Sequence, residues 1–145
     1  MYERGLRVPL QRVLFHVLVP LLLGVVVYVA WRTTDAVLVG WLPMAAVHAL
    51  RTTLGALHLP RVVVESAPDL AWAWAFGAAL ALIWRTRPWR VKAPWLAIGL
   101  AVAASAEIGQ VWGVPPGTFD ITDLVAIVVG YALGATVASR GWIHA

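Results

Sequence analysis

The stretch WLAIGLAVAASAEIGQVW, residues 95–112, decides how this chain folds. About 20 apolar residues cross a bilayer core as a helix, and this run is nearly that long. It reads as a membrane span interrupted by Glu107, with Gln110 one turn later. A carboxylate inside a hydrocarbon-spanning segment costs about 3 kcal/mol or more unless it is paired, hydrated or neutralised. Glu107 is therefore the first candidate functional residue.

The rest of the chain supports a bilayer. Of 145 residues, 61% are hydrophobic and only 12% charged, with a mean hydropathy of +0.82. Soluble domains carry roughly a quarter charged residues. The length suits one membrane domain over residues 1–145, with no room for a second. The net charge of +4 does not imply nucleic acid, because the basic residues flank apolar runs rather than forming a face. Without cysteine there are no disulfides and no thiolate metal ligands.

Four stretches are long and apolar enough, or nearly so: residues 10–31, 68–84, 93–112 and 120–139. The fold class is all-α, a polytopic four-helix membrane bundle. Arg4, Arg7 and Arg12, which precede the uncharged apolar run from Val13 to Trp31, resemble a signal-peptide n-region. That run exceeds an ordinary h-region and no A-x-A site follows, so it reads as a retained span. Basic residues cluster at the N-terminus, at Arg85, Arg87, Arg90 and Lys92, and at Arg140. The turn between the third and fourth spans has none. The positive-inside rule then puts both termini in the cytoplasm. Trp84, Trp89, Trp95 and Trp142 fall at the inner boundary, and Trp31, Trp41, Trp72, Trp74 and Trp112 at the outer one.

Residues 36–59 are too apolar for a solvated loop and are interrupted by Pro43. Their second half puts His48, Arg51, Thr52, Gly55 and His58 at helical spacing. We expect an outer interfacial or re-entrant helix, since a further span would break the charge rule.

This topology gathers Asp69, Glu107, Gln110, Asp120 and Asp123 toward the outer side. Small residues at four-residue spacing continue the acid positions: Ala73, Gly77 and Ala81 after Asp69, and Gly99 and Ala103 before Glu107. Ala126, Gly130, Gly134 and Ala138 form a four-residue repeat, and Asp123 lies seven before Gly130 on much the same face. Such stripes let membrane helices pack closely, so the acids should point between helices. Helix capping is a competing account for Asp120 and for Asp69, which follows Pro68. It does not serve Glu107, near the end of its helix. Carboxylates this close need a shared proton or a cation, and Arg51 and Arg61 are candidate partners. Standard enzyme signatures are missing, and the residues name no cofactor or metal.

Glu107-x-x-Gln110, a proline turn at Pro115-Pro116, Thr118-Phe119-Asp120-x-x-Asp123, and then Gly130 and Gly134 resemble the VanZ-like family of small bacterial membrane proteins. The resemblance covers roughly the last third of the chain, with Asp69 a weaker match. It implies four or five membrane helices and a cell-envelope context; the best-known member is linked with low-level teicoplanin resistance. It also adds Thr118 to the candidates. Two positions depart from the pattern. Gly117 stands where relatives often carry arginine, and Ile127 where they often carry asparagine.

Together these readings predict a bacterial inner-membrane protein with an outward-facing acidic pocket. The candidate ligand-binding residues are Asp69, Glu107, Gln110, Thr118, Asp120 and Asp123, with Arg51 and Arg61 offering donors from above. The expected partners are membrane lipid and a lipid-linked envelope intermediate, a glycopeptide or a cation. The alternatives are an assembly subunit of a membrane complex, with a membrane-protein partner, or an interfacial enzyme using Glu107 or Asp123 as general base.

Overall fold

The computed structural model describes residues 10–32, 37–115 and 117–140. Arg4, Arg7, Ala36, Pro116 and Trp142, used in the reading above, lie outside the described residues. Among those described there are four helices long and apolar enough to cross a membrane. These are α1 (Leu10–Trp31), α3 (Arg61–Ile83), α4 (Trp89–Gln110) and α5 (Ile121–Ser139). Between the first two lie a short helical turn, Val37–Gly40, and α2 (Met44–Leu54).

Prolines explain where the helices differ from expectation. Pro68 does not open its helix but lies inside α3, which begins at Arg61. Pro94 likewise lies inside α4, which begins at Trp89 behind Pro88. In water an interior proline would cost about 3 kcal/mol and mark a boundary. Within a membrane bundle, neighbouring helices and local adjustment absorb it. Helix α1 shows such an adjustment. Leu14–Leu18 form a π-helical segment just before Pro20, and the Val19 amide bonds Leu14 O. Because α3 starts early, Trp72 and Trp74 sit near its middle rather than at an interfacial end. Likewise α4 stops at Gln110, short of Trp112.

Helix α3 is central, packing against α1, α4 and above all α5. The small-residue stripes face inward as expected. Ala73, Gly77 and Ala81 are buried, as are Gly99 and Ala103, and Ala126, Gly130, Gly134 and Ala138. A Cβ on Gly130 would collide with Leu70 O, and one on Gly134 with Trp74 O. The α3 and α5 backbones are therefore in contact, in the parallel sense that the two-span connection requires.

Three apolar clusters follow. Ala73, Ala103, Ile127 and Tyr131 join α3, α4 and α5, and Tyr131 donates its hydroxyl to Leu96 O at 2.8 Å. Ala78, Ala81, Leu82 and Ala138 meet Val13 and Val17 of α1 at one end. Val29, Val39 and Val47 fasten α2 to α1 at the other. Leu22, Leu23, Ile98, Val102, Val125 and Leu133 point outward, which is where lipid is the solvent for an apolar side chain.

The two ends of the bundle differ in charge. One carries Arg12, Arg85, Arg87, Arg90, Lys92 and Arg140 and, among the described residues, no acid. There Trp84 stacks on Trp95 at 4.9 Å, and Lys92 donates to the Ser139 hydroxyl at 2.7 Å. The opposite end holds every described acid.

Candidate functional site

Asp120 is the N-cap of α5. Its Oδ1 accepts the Thr122 amide at 2.8 Å and also the Thr122 hydroxyl. These two bonds, the hydroxyl first, hold the Asp120 carboxyl below the usual carboxylate range. Asp123 stands three residues on, where a capping-box carboxylate would reach back to the N-cap amide. Glu107 takes that role from the preceding helix: the Asp120 amide donates to Glu107 Oε1 at 2.6 Å. Asp123 is thereby free to accept the Ser66 hydroxyl of α3 at 2.8 Å. One carboxylate substitution across the loop turns a local cap into a junction of three helices.

Glu107 is 7% exposed, the one buried charged side chain among the described residues. Its position continues the Gly99 and Ala103 stripe, which brings α4 near the central pair. Asp69, on the Ala73 and Gly77 stripe, accepts the Trp72 indole N–H at 3.3 Å. It lies within range of the charges of Asp123, Arg32 and Glu107. Because α3 begins at Arg61, Asp69 is well inside the helix, and capping does not account for it.

These groups line one cavity of about 510 Å³ between α3, α4, α5 and the loop joining the last two. Of the residues expected from sequence, Arg61, Asp69, Glu107, Gln110, Thr118, Asp120 and Asp123 line it. Arg51 does not. Its Nε donates to Val29 O at 3.1 Å and its Nη2 to Arg32 O at 2.6 Å. It thus holds α2 onto the carbonyl end of α1. Arginine near a helix C-terminus satisfies orphan carbonyls and the dipole together.

Arg32, Glu65 and Ser66 were not foreseen. Arg32 donates from Nη2 to Glu65 O at 3.1 Å, and Arg61 pairs with Glu65 at 2.6 Å on the rim. With Arg61 90% exposed, solvent screens that pair and it adds little to the fold. The signal for Ser66 is its spacing, three residues before Asp69 on one helical face, which a helix start at Pro68 hides.

The two departures from the family pattern also acquire places. Gly117 lies against Gln110, so that a Cβ there would come within 2.8 Å of the Gln110 carboxamide carbon. Ile127 is buried in the apolar cluster with Ala73 and Tyr131, so that position is dry. Among the described residues no group of three or more His, Asp or Glu is arranged to hold a metal ion.

No curated protein and no solved structure matches the chain. The family model described as VanZ/LLP1 matches residues 47–143. That span is wider than the motif stretch from Glu107 to Gly134, and it takes in α3, α4 and α5 together with all the acids of the cavity. With about two thirds of its length matched, the chain belongs to the VanZ/LLP1 family.

Proposed function

We propose that the acidic cavity binds the polar head of a membrane-borne ligand, such as a lipid-linked envelope intermediate. The observation that carries this reading is Glu107, a carboxylate buried between helices and opening onto a cavity shared with Asp69 and Asp123. A volume of about 510 Å³ lies within the 300–1,000 Å³ of small-ligand sites. Carboxylate acceptors around the cavity suit a head rich in hydroxyl or ammonium donors.

In this reading the basic end faces the cytoplasm of a bacterial inner membrane, with both termini there. The cavity then opens outward, where envelope intermediates and glycopeptides meet the bilayer. Glu107 and Asp123 already serve as fixed acceptors for the Asp120 amide and the Ser66 hydroxyl. That arrangement suits positioned binding groups better than a general base.

The test compares lipids co-purifying with the wild-type protein and with Glu107→Gln, by mass spectrometry. The variant keeps an acceptor for the Asp120 amide and loses the charge. It is expected to lose the retained polar lipid and any envelope phenotype. Unchanged retention would reject the binding site. A stoichiometric protein partner retained by both forms would point instead to assembly. Turnover of a defined lipid, with a pH profile altered in Asp123→Asn, would point to an enzyme.

A further inference from the structure

A second cavity of about 260 Å³ adjoins the acidic one at the same end of the bundle. It is an apolar groove between α1 and α3, walled by Leu21, Gly24, Tyr28, Pro68 and Trp72. Its floor is a close helix contact, where a Cβ on Gly24 would come within 2.9 Å of Ala71 Cβ. Two residues, Arg32 and Asp69, line both cavities. Groove and acidic chamber therefore meet at a cation and an anion.

Arg32 is half-buried at this junction. Its guanidinium lies 5.5 Å over the Tyr28 ring and donates to Glu65 O. Its Nε is buried with no hydrogen-bond partner among the described residues. A guanidinium has five N–H donors in a fork that matches phosphate oxygens. An arginine between an apolar groove and a polar chamber has the surroundings of a lipid phosphate, with tails on one side and head on the other.

Beyond Arg32 the chamber presents Glu65, Asp69, Glu107, Asp120 and Asp123 against Arg61. A group seated there after the phosphate must be cationic or rich in donors, because a further anion would face uncompensated carboxylates.

We infer that the groove and the acidic cavity form one site for a single zwitterionic phospholipid-like amphiphile. One chain lies along Leu21 and Trp72, the phosphate sits at Arg32, and the ammonium end sits beside Asp69 and Glu107. This rests on the acidic-cavity reading above and adds the tail, the phosphate and the sign of the head.

The experiment is native mass spectrometry of the full chain in detergent, titrated with dioleoylphosphatidylethanolamine, dioleoylphosphatidylglycerol or dioleoylglycerol. The wild type is expected to bind the ethanolamine lipid at least about tenfold more tightly than the glyceride, which has no phosphate. The phosphatidylglycerol is expected to fall between them. Arg32→Gln and Leu21→Trp should each weaken the ethanolamine lipid by about tenfold. Leu21 is 41% exposed, so its variant fills the groove without entering the core and keeps the test valid if Arg32→Gln fails to fold. Equal binding of all three lipids, or wild-type binding by Leu21→Trp, overturns the inference. If Glu107→Gln alone loses the lipid, the acidic cavity binds a head and the joined site is rejected. If Leu21→Trp and Arg32→Gln weaken binding while Glu107→Gln does not, the acidic-cavity reading falls and takes the placement of the head with it.

Discussion

Helices α3 and α5 are joined in two ways along their length. Through the middle they meet by absence of side chain, with Gly130 on Leu70 O and Gly134 on Trp74 O. At the acidic end they meet through polar groups, Ser66 on Asp123, with Glu107 inserted from α4. The first kind of contact draws on close backbone packing. The second leaves acceptors over and a cavity to put them in. The seam holds the acids at fixed separation, so that the end of the bundle need not be close-packed to stay assembled.

The sharpest way to break this contrast is at the seam. Gly130→Leu forces the α5 side chain into the α3 backbone, and overpacking of this kind costs about 3 kcal/mol or more. Thermal unfolding in detergent should show loss of the folded bundle, together with any ligand binding. Wild-type stability would mean that the helix pair is not held by close approach.

Next in size is Glu107→Ala, which removes the acceptor of the Asp120 amide. A hydrogen bond to a charged group is worth about 1.5–3 kcal/mol, and the loss should appear as faster hydrogen exchange in the first turn of α5. Ser66→Ala is expected to cost about 1 kcal/mol, again with its effect confined to the acidic end. At the basic end, Lys92→Met removes only a bond to the Ser139 hydroxyl beside a half-exposed stem. A change under about 1 kcal/mol is expected there. If Lys92→Met proved costlier than Glu107→Ala, the ranking of the two ends would be reversed.

The smallest effect is on pH. Thr122 holds the Asp120 carboxyl low in the folded state, so its capping contribution is fully present above the ordinary aspartate value near 3.9. That contribution disappears only as pH falls through the lower folded value. Amide exchange at Thr122 should therefore stay protected at pH 4 and rise on further acidification. Asp120→Asn should abolish that dependence, and protection already lost by pH 5 would contradict the cap.

The four spans, the inward stripes and most of the acidic constellation were legible in the sequence, because hydropathy and four-residue spacing are local properties. The errors have local causes too. By the rule for soluble helices, where a missing amide goes uncompensated, Pro68 reads as a helix start. It lies inside a membrane helix here, and the shift moves Asp69 from a helix end to its interior. Arg51 is expected over the acidic pocket, yet its acceptors are the carbonyls of Val29 and Arg32. No periodicity within residues 36–59 encodes a partner on α1. The importance of Arg32 depends on two cavities that exist only once α1 and α3 have packed.

Glu107 also has a consequence for measurement. Its carboxylate is bound to the backbone amide of a residue thirteen positions further on, so whatever competes for that oxygen changes the Asp120 amide. The amide proton of Asp120 is therefore a built-in reporter. Its chemical shift and exchange rate register the occupancy of a carboxylate on another helix, without any label placed in the cavity itself.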